Sequence, residues 1–378
     1  MMTRRERLMA ALTGKPVDRT PVNFYEVGGV KVDPASRDPF NIYNDPSWQP
    51  LLQLAEEKTE LIRMMSAVCK PSANNVADRF FKTEEFMEDG SRLVRTTVKI
   101  AGRTLTSLAR RNPDVDTVWT LEHLLKDKDD AEAYLQLPHE AFAQDIDVSG
   151  MIEEDRSLGE RGIVMMNIGD PICAVAPLFS MEDFTVVAFM ETELFHRLLE
   201  QASRRLHDMT ERVAREFPGH LWRICGPEYA AEPYLPSRLF EEYVVRYTGP
   251  IVKMIQRHGG FARLHCHGRI RSLLPYFRQM GVDAIDPIEP PTQGNVDLGD
   301  VRREYGKDFT LFGNLEISDI ENMDPAAFVK VVEKSIRDGT GGQGRGFVLM
   351  PSASPYGRTI TAKTMANYET MVRLALAG

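Results

Sequence analysis

From Gly162 onward, short apolar runs alternate with stretches of helical period, a pattern that reads as a series of βα units. "GIVMMNIG" (162–169) predicts a strand, residues 190–217 a long helix, and "HLWRICG" (220–226) the next strand. A helix over 237–259 follows, expected to break or restart at Gly249-Pro250 because proline cannot give an N–H to the preceding turn. The alternation continues with strands at "FARLHCHG", "VDAIDPIEPP", "FTLFGNLE" and "GFVLMPSASP", each followed by a polar or amphipathic stretch. Adding "TPVNFYEV" (20–27) and "TELIRMMS" (59–66) brings the total to about eight units, the number a (β/α)8 TIM barrel requires. A doubly wound open sheet is the alternative, but its Gly-rich first turn is absent.

Between residues 80 and 120 the period changes to strict alternation, with turn signals at Asp89-Gly90 and Ala101-Gly102. This predicts a β-meander inserted into the barrel, a lid or shoulder at one end. No linker separates two halves, so residues 1–378 are expected to form one domain. An amphipathic helix is predicted to open at Thr3, whose hydroxyl is a good N-cap.

The net charge of -9 and the lack of any basic run longer than two residues argue against a nucleic-acid partner. No stretch approaches the roughly 20 apolar residues that span a bilayer. The N-terminal stretch has no apolar signal region, so a cytoplasmic location is expected. The four cysteines, Cys69, Cys173, Cys225 and Cys266, show no paired spacing, so disulfides have no support.

In a TIM barrel the reactive groups gather where strands end. The polar residues at those places are Asn167 and Asp170, Cys225 and Glu228, His265 and His267, Asp286 and Glu289, Asn314 and Glu316, and Ser352 and Ser354. His265 and His267 stand two apart, so on an extended strand they leave the same face and can converge on one ion, while Cys266 points into the wall. With Glu289 they would make an N/N/O set suited to Zn²⁺ with an open fourth position. The plainer reading gives one histidine a structural hydrogen bond and the other the substrate. Glu228 and Glu289 are alternatively an acid/base pair, or helix caps and arginine partners. Glu228, Asp286 and Asn314 are the candidate catalytic side chains. Cys225 after an apolar run is more often a small buried hydrophobe than a nucleophile.

"RERLMAALTGKPVDRTPV", "FRQMGVDAIDPIEPP", "LFGNLE" and "FVLMPSASP", in this order, resemble the uroporphyrinogen decarboxylase superfamily. That superfamily holds TIM-barrel decarboxylases and zinc-dependent methyltransferases that serve corrinoid proteins. The decarboxylases carry an arginine-rich run after the first strand that grips a tetrapyrrole's carboxylates. Here that place reads "YEVGGVKVDPASRDP", which lacks the paired arginines. The methyltransferases carry a His-x-Cys-Gly motif and a later cysteine on zinc; His265, His267 and Gly268 fall on the first, and Ala353 stands in place of the second. The resemblance therefore implies a zinc-dependent methyltransferase moving a methyl group from a small methoxy or amine donor to a corrinoid on a partner protein. Glu289 would supply the missing ligand. A metal-free lyase acting on another carboxylated substrate is the alternative.

Overall fold

The computed structural model describes residues 1–29, 35–71, 76–342 and 344–377. Seven strands form one curled parallel sheet in chain order: β1 Leu61–Met65, β2 Gly162–Gly169, β3 Leu221–Cys225, β4 Phe261–His265, β5 Ala284–Asp286, β6 Thr310–Leu315 and β7 Phe347–Pro351. The fold is α/β, and helices follow most strands.

The segment 20–27 departs from the strand expected there. Val22 makes a single parallel bridge to Leu349 on β7, and Glu60, just before β1, donates its backbone N–H to the Val22 carbonyl at 2.9 Å. The segment thus lies between the two edge strands. It stops being extended because the Asn23 side chain captures the Tyr25 N–H at 2.8 Å, an Asx turn. Tyr25 then enters the left-handed region (φ 53°), and the chain turns into a 3-10 helix over Tyr25–Gly29. A tyrosine in that region carries a cost of about 1–3 kcal/mol, which the surrounding structure must offset.

Alternation divides each strand between two packing layers. Trp222 and Ile224 of β3 and Ala262 and Leu264 of β4 belong to the large core shared with the helices. Leu221, Ile163, Met165, Phe312 and Val348 form a smaller cluster inside the sheet's curl. The helix Arg4–Leu12 closes the N-terminal end of that interior, with Leu8, Ala11 and Leu12 in the same cluster. Its start is a full capping box, Thr3 with Glu6.

Two further expectations change. The helix near 237–259 runs through Gly249-Pro250 without a break; the irregularity is a π turn at Glu241–Val245, before the α-helix Arg246–Arg257. Pro250 costs only the hydrogen bond it cannot make, and the widened turn upstream absorbs the misfit. The run "VDAIDPIEPP" is a strand only over Ala284–Asp286, since Pro287 has no N–H to extend the ladder.

The insert is a four-stranded antiparallel meander of Phe81–Glu88, Ser91–Ile100, Arg103–Arg111 and Val118–Glu122. Its first two turns place Asp89 and Gly90, then Ala101 and Gly102, at positive φ, the geometry of tight hairpins. The third connection bridges Val115 to Gly357 in the loop after β7. No single helix among the described residues is long and apolar enough to cross a membrane.

Glu60 holds the N-terminal segment to the sheet. Its fully buried carboxylate meets Arg7 at 2.8 Å, Arg19 at 2.6 Å and the Val22 N–H at 2.7 Å. Removing its charge would leave the buried Arg7 with Asp18 alone. Glu60→Gln is therefore expected to lower stability by about 3 kcal/mol in denaturant unfolding. A loss below roughly 1 kcal/mol, the level of a surface pair, would show that the cluster does not hold this segment.

Candidate active site

The C-terminal ends of β2, β3 and β4 lie side by side, with Gly169, Cys225 and His265 in register. One step earlier, Asn167, Arg223 and Arg263 form the layer beneath. Above the apolar interior cluster the sheet is therefore lined with two arginines, and above those with the histidines. A cavity of about 390 Å³ opens over this layer. Its lining includes Tyr25, Arg223, Cys225, Glu228, His265 and His267, together with Asp116 and Thr117 from the insert and Ser354 and Tyr356 from the loop after β7.

His265 is buried, with its Nδ1 2.7 Å from Asp286 Oδ2. Asp286 also faces the buried Arg263, whose Nε lies 3.0 Å from its other oxygen, within ion-pair distance though off the hydrogen-bond line. Burial alone would raise the Asp286 pKa, but Arg263 and His265 outweigh it and hold the carboxylate at about 2. A charged acceptor at Nδ1 makes that nitrogen the donor. Nε2 is left with its lone pair toward the Tyr25 hydroxyl, 3.4 Å away. Burial, set against the pull of Asp286, lowers His265 to about 4, so it is neutral at physiological pH.

His267 lies just beyond the strand and is half-exposed. Its Nδ1 is 2.8 Å from Glu289 Oε1, and the other Glu289 oxygen accepts the Gly268 N–H at 2.6 Å. Gly268 sits at φ 83°, which a side chain would resist, and this turn presents its N–H to the carboxylate. Burial disfavours the charged imidazole, but the Glu289 bond and charge together raise its pKa above 6.5. The two rings meet edge to face with centroids 4.5 Å apart. Side by side, one imidazole is held neutral and the other is biased toward its cation.

The remaining candidates divide. Glu228, in the turn after β3, borders the cavity; burial raises its pKa, and its Oε2 has no hydrogen-bond partner among the described residues. Asp286 does not border the cavity and acts on it through His265. Asn314 turns away, accepting from Ser335 on the helix Pro325–Thr340 at 2.9 Å, and is not part of the lining. Glu289 is present at the site, but both of its oxygens are engaged by His267 and Gly268. Its direction is set by Ile288, at φ 61° between Asp286 and Glu289, rather than by strand alternation.

Three groups of the site were not among the sequence candidates. Tyr25 links Arg223 and His265: Arg223 donates to its hydroxyl, which faces His265 Nε2. Arg223 also donates to Asn167 Oδ1 at 2.8 Å. A charged residue inside the otherwise apolar "LWRIC" was the available signal. Cys173 lies beside Cys225 and biases that thiol downward, with help from Arg223 and against burial, while the Cys225 S–H is turned to the Ile168 carbonyl at 3.3 Å. Gly226 makes room for Cys173, since a Cβ there would lie 2.5 Å from the Cys173 sulfur.

A curled parallel sheet with acid, base and guanidinium groups converging at the carboxyl ends of its strands is the layout of an α/β enzyme site. The model of the uroporphyrinogen decarboxylase (URO-D) family matches residues 120–373, and the chain belongs to that family. A methyltransferase from Methanosarcina mazei has a similar structure, covering 100% of both chains with a TM-score of 0.59 at 15% sequence identity, a likeness of fold. A D-psicose 3-epimerase from Clostridium cellulolyticum H10 aligns over 60% of this chain and 92% of its own at 12% identity, with a TM-score of 0.34, too low to carry an argument. No curated protein matches the sequence.

The opposed environments of the two histidines are directly measurable. In imidazole ¹⁵N NMR, His267 is expected to titrate above 6.5 and His265 only far below it, toward about 4. Glu289→Gln should bring the His267 transition down. Coincident transitions of the two rings near 6.5 would refute this assignment.

Proposed function

We propose that this protein is a methyltransferase of its family, taking a methyl group from a small methoxy or amine donor held in the cavity. The acceptor would be the cobalt of a corrinoid carried by a separate protein and presented at the mouth of a closed (β/α)8 barrel. The observation that carries this reading is the pair of imidazoles, each with a carboxylate on Nδ1: His265 turns Nε2 to Tyr25, and His267 keeps Nε2 for a ligand.

Methyl transfer from oxygen or nitrogen requires the charge on the departing atom to be neutralised as the bond breaks. His267, biased toward its protonated form, supplies an Nε2–H that can donate to that atom, and Glu289 stabilises the imidazolium until the proton is given. Glu228, kept toward its neutral form by burial, is a second proton source at the same wall. His265, neutral, orders the Tyr25 hydroxyl and cannot compete as an acid. A corrinoid, when bound, supplies the nucleophile that accepts the methyl group.

Zinc at this place finds two donors in His265 and His267, and carboxylate-anchored imidazoles are usual in metal sites. Among the described residues, however, no third histidine, cysteine or carboxylate joins them in a metal-binding group, and Glu289 is bonded to His267 Nδ1, across the ring from Nε2, where it anchors the imidazole. Arg223 adds a positive charge beside His265. These residues do not complete a zinc site, and no step here passes through one.

Uroporphyrinogen itself suits the cavity poorly. Its eight carboxylates need several cations, and the described residues of the lining offer one arginine alongside Glu26, Asp116 and Glu228.

His267→Gln is expected to slow methylation of free cob(I)alamin by about 10²–10⁴-fold, the usual contribution of a positioned acid, with donor affinity little changed. In the wild type the rate should stand on an acid-side plateau and fall as pH rises through the His267 pKa. A rate indifferent to the substitution, or one that climbs with pH, would remove His267 from the acid role. Zinc added to the metal-free protein is expected to bind at roughly micromolar strength or weaker in chelator competition. Nanomolar binding abolished by His267→Ala would restore the zinc reading.

A further inference from the structure

Among the described residues bordering the cavity, Arg223 is the one cationic side chain without a contacting carboxylate. His265 has Asp286, His267 has Glu289, and Asp116 has Arg111. Arg223 is 8% exposed, yet no carboxylate lies within ion-pair distance of it among the described residues. Its hydrogen bonds go to neutral acceptors, Asn167 Oδ1, the Met64 sulfur and the Tyr25 hydroxyl, and its Nε has none among the described residues. A buried guanidinium cannot shed its proton to escape this position, because arginine remains charged at any accessible pH. Leaving such a charge without a contacting counter-ion is costly, and proteins tolerate it mainly where a ligand supplies the missing partner.

We infer that Arg223 is the seat of an anionic group on the substrate, so that the donor is a small monocarboxylate rather than a neutral or cationic compound. This rests on the methyl-transfer reading only for the word donor; the anion seat itself stands on the unpaired guanidinium and the cavity above it. The guanidinium of Arg223 is pre-set, since Asn167 and the Met64 sulfur hold Nη1 and Tyr25 holds Nη2, which fixes the plane of the group and leaves an Nη2–H for a ligand. Four tyrosines, Tyr25, Tyr43, Tyr229 and Tyr356, line the same cavity and provide flat apolar surface for the rest of a small ligand.

The lining acids do not reverse the preference. Glu26 and Glu228 are both pushed by burial toward their neutral forms and then offer O–H donors, which also favour an anion. Against burial, Tyr25, Cys225, Asp286 and Glu26 all favour the charge of Arg223 from their places around it, but none of the carboxylates is in ion-pair contact with it. The Cys225 S–H is turned to the Ile168 carbonyl at 3.3 Å.

Calorimetry with three probes of one shape tests the inference: 4-methoxybenzoate, 4-methoxybenzyl alcohol and 4-methoxybenzylamine. The wild type is expected to prefer the acid over the alcohol by at least about tenfold, the scale of a hydrogen bond to a charged group. Arg223→Gln should erase that preference while leaving alcohol binding in place, which also reports that the cavity is intact. Should that variant fail to fold, Arg223→Lys keeps the charge and loses the fork, and is expected to lose most of the preference. Cys225→Ala, which removes a neighbouring thiol that can carry negative charge, should hold or strengthen acid binding. Equal affinity for acid and alcohol, tighter binding of the amine, no binding of the acid, or a preference that survives in Arg223→Gln would each overturn the inference. These measurements involve no methyl transfer. Acid binding through Arg223 without transfer would defeat the proposed reaction alone, whereas transfer from the alcohol with an unchanged KM in Arg223→Gln would defeat the anion seat alone.

Discussion

Asp286 is the constraint on which the site depends. A fully buried carboxylate at the end of a three-residue strand stands between Arg263 and His265, both buried, and it must be charged for either neighbour to keep its state. Take its charge away and Arg263, 1% exposed, becomes a lone cation in the sheet's interior. His265 would then be free to place its proton on Nε2, which would turn it from an acceptor into a donor toward Tyr25. Tyr25 in turn receives from Arg223, so the tautomer of one imidazole sets the polarity of a chain that runs His265, Tyr25, Arg223, Asn167 across three strands and the N-terminal segment.

Much of this was legible in the sequence, for reasons that differ by element. The run 162–169 is apolar at both parities because both faces are covered, and its strand was readable to the residue. The meander's turns announced themselves through Asp-Gly and Ala-Gly, since left-handed pairs favour glycine. The two histidines do lie together, with ring centroids 4.5 Å apart, although His267 is already past the end of the strand, and their anchoring carboxylates were both on the candidate list. What spacing could not reveal was direction after a strand ends. Glu289 follows Pro287 and a left-handed Ile288, so alternation no longer applies, and the carboxylate turns back onto Nδ1 of His267. Asn314 is on a strand, but its side chain leaves toward the outer helix. Arg223 and Tyr25 were hidden for the opposite reason: each lies inside an apolar run, where a polar residue reads as an interruption of packing and not as part of a site.

The two histidines illustrate how neighbours two residues apart acquire separate chemistry. Both are bonded to a carboxylate through the same nitrogen, so the partner alone cannot explain their difference. Burial decides it. His265 lies within the strand, and the desolvation of its charged form exceeds what Asp286 returns, because that carboxylate is already shared with Arg263. His267 has left the strand and keeps contact with solvent, and Glu289 has no cation to serve besides it. Charge is therefore assigned by the number of competitors for each carboxylate as much as by distance.

Such an arrangement is costly for folding. An unpaired guanidinium, a left-handed tyrosine and buried carboxyls with unmet hydrogen-bonding capacity would each be removed if stability alone governed the sequence. They are concentrated in one layer, and the layers on either side of it are conventional. Beneath lie Leu221, Ile163, Met165 and Phe312, closed off by the N-terminal helix, and outside lie Trp222, Ile224 and Leu264 against the helices. Because strand residues alternate, each costly inward residue is flanked along its own strand by outward residues that anchor the backbone in the larger core. The rigidity that holds Arg223 in place without a counter-ion thus comes from Trp222 and Ile224, its immediate neighbours on β3. Packing on one face of the strand maintains an unsatisfied charge on the other, and a ligand that satisfies that charge gains affinity because the protein has already borne the cost of orienting it.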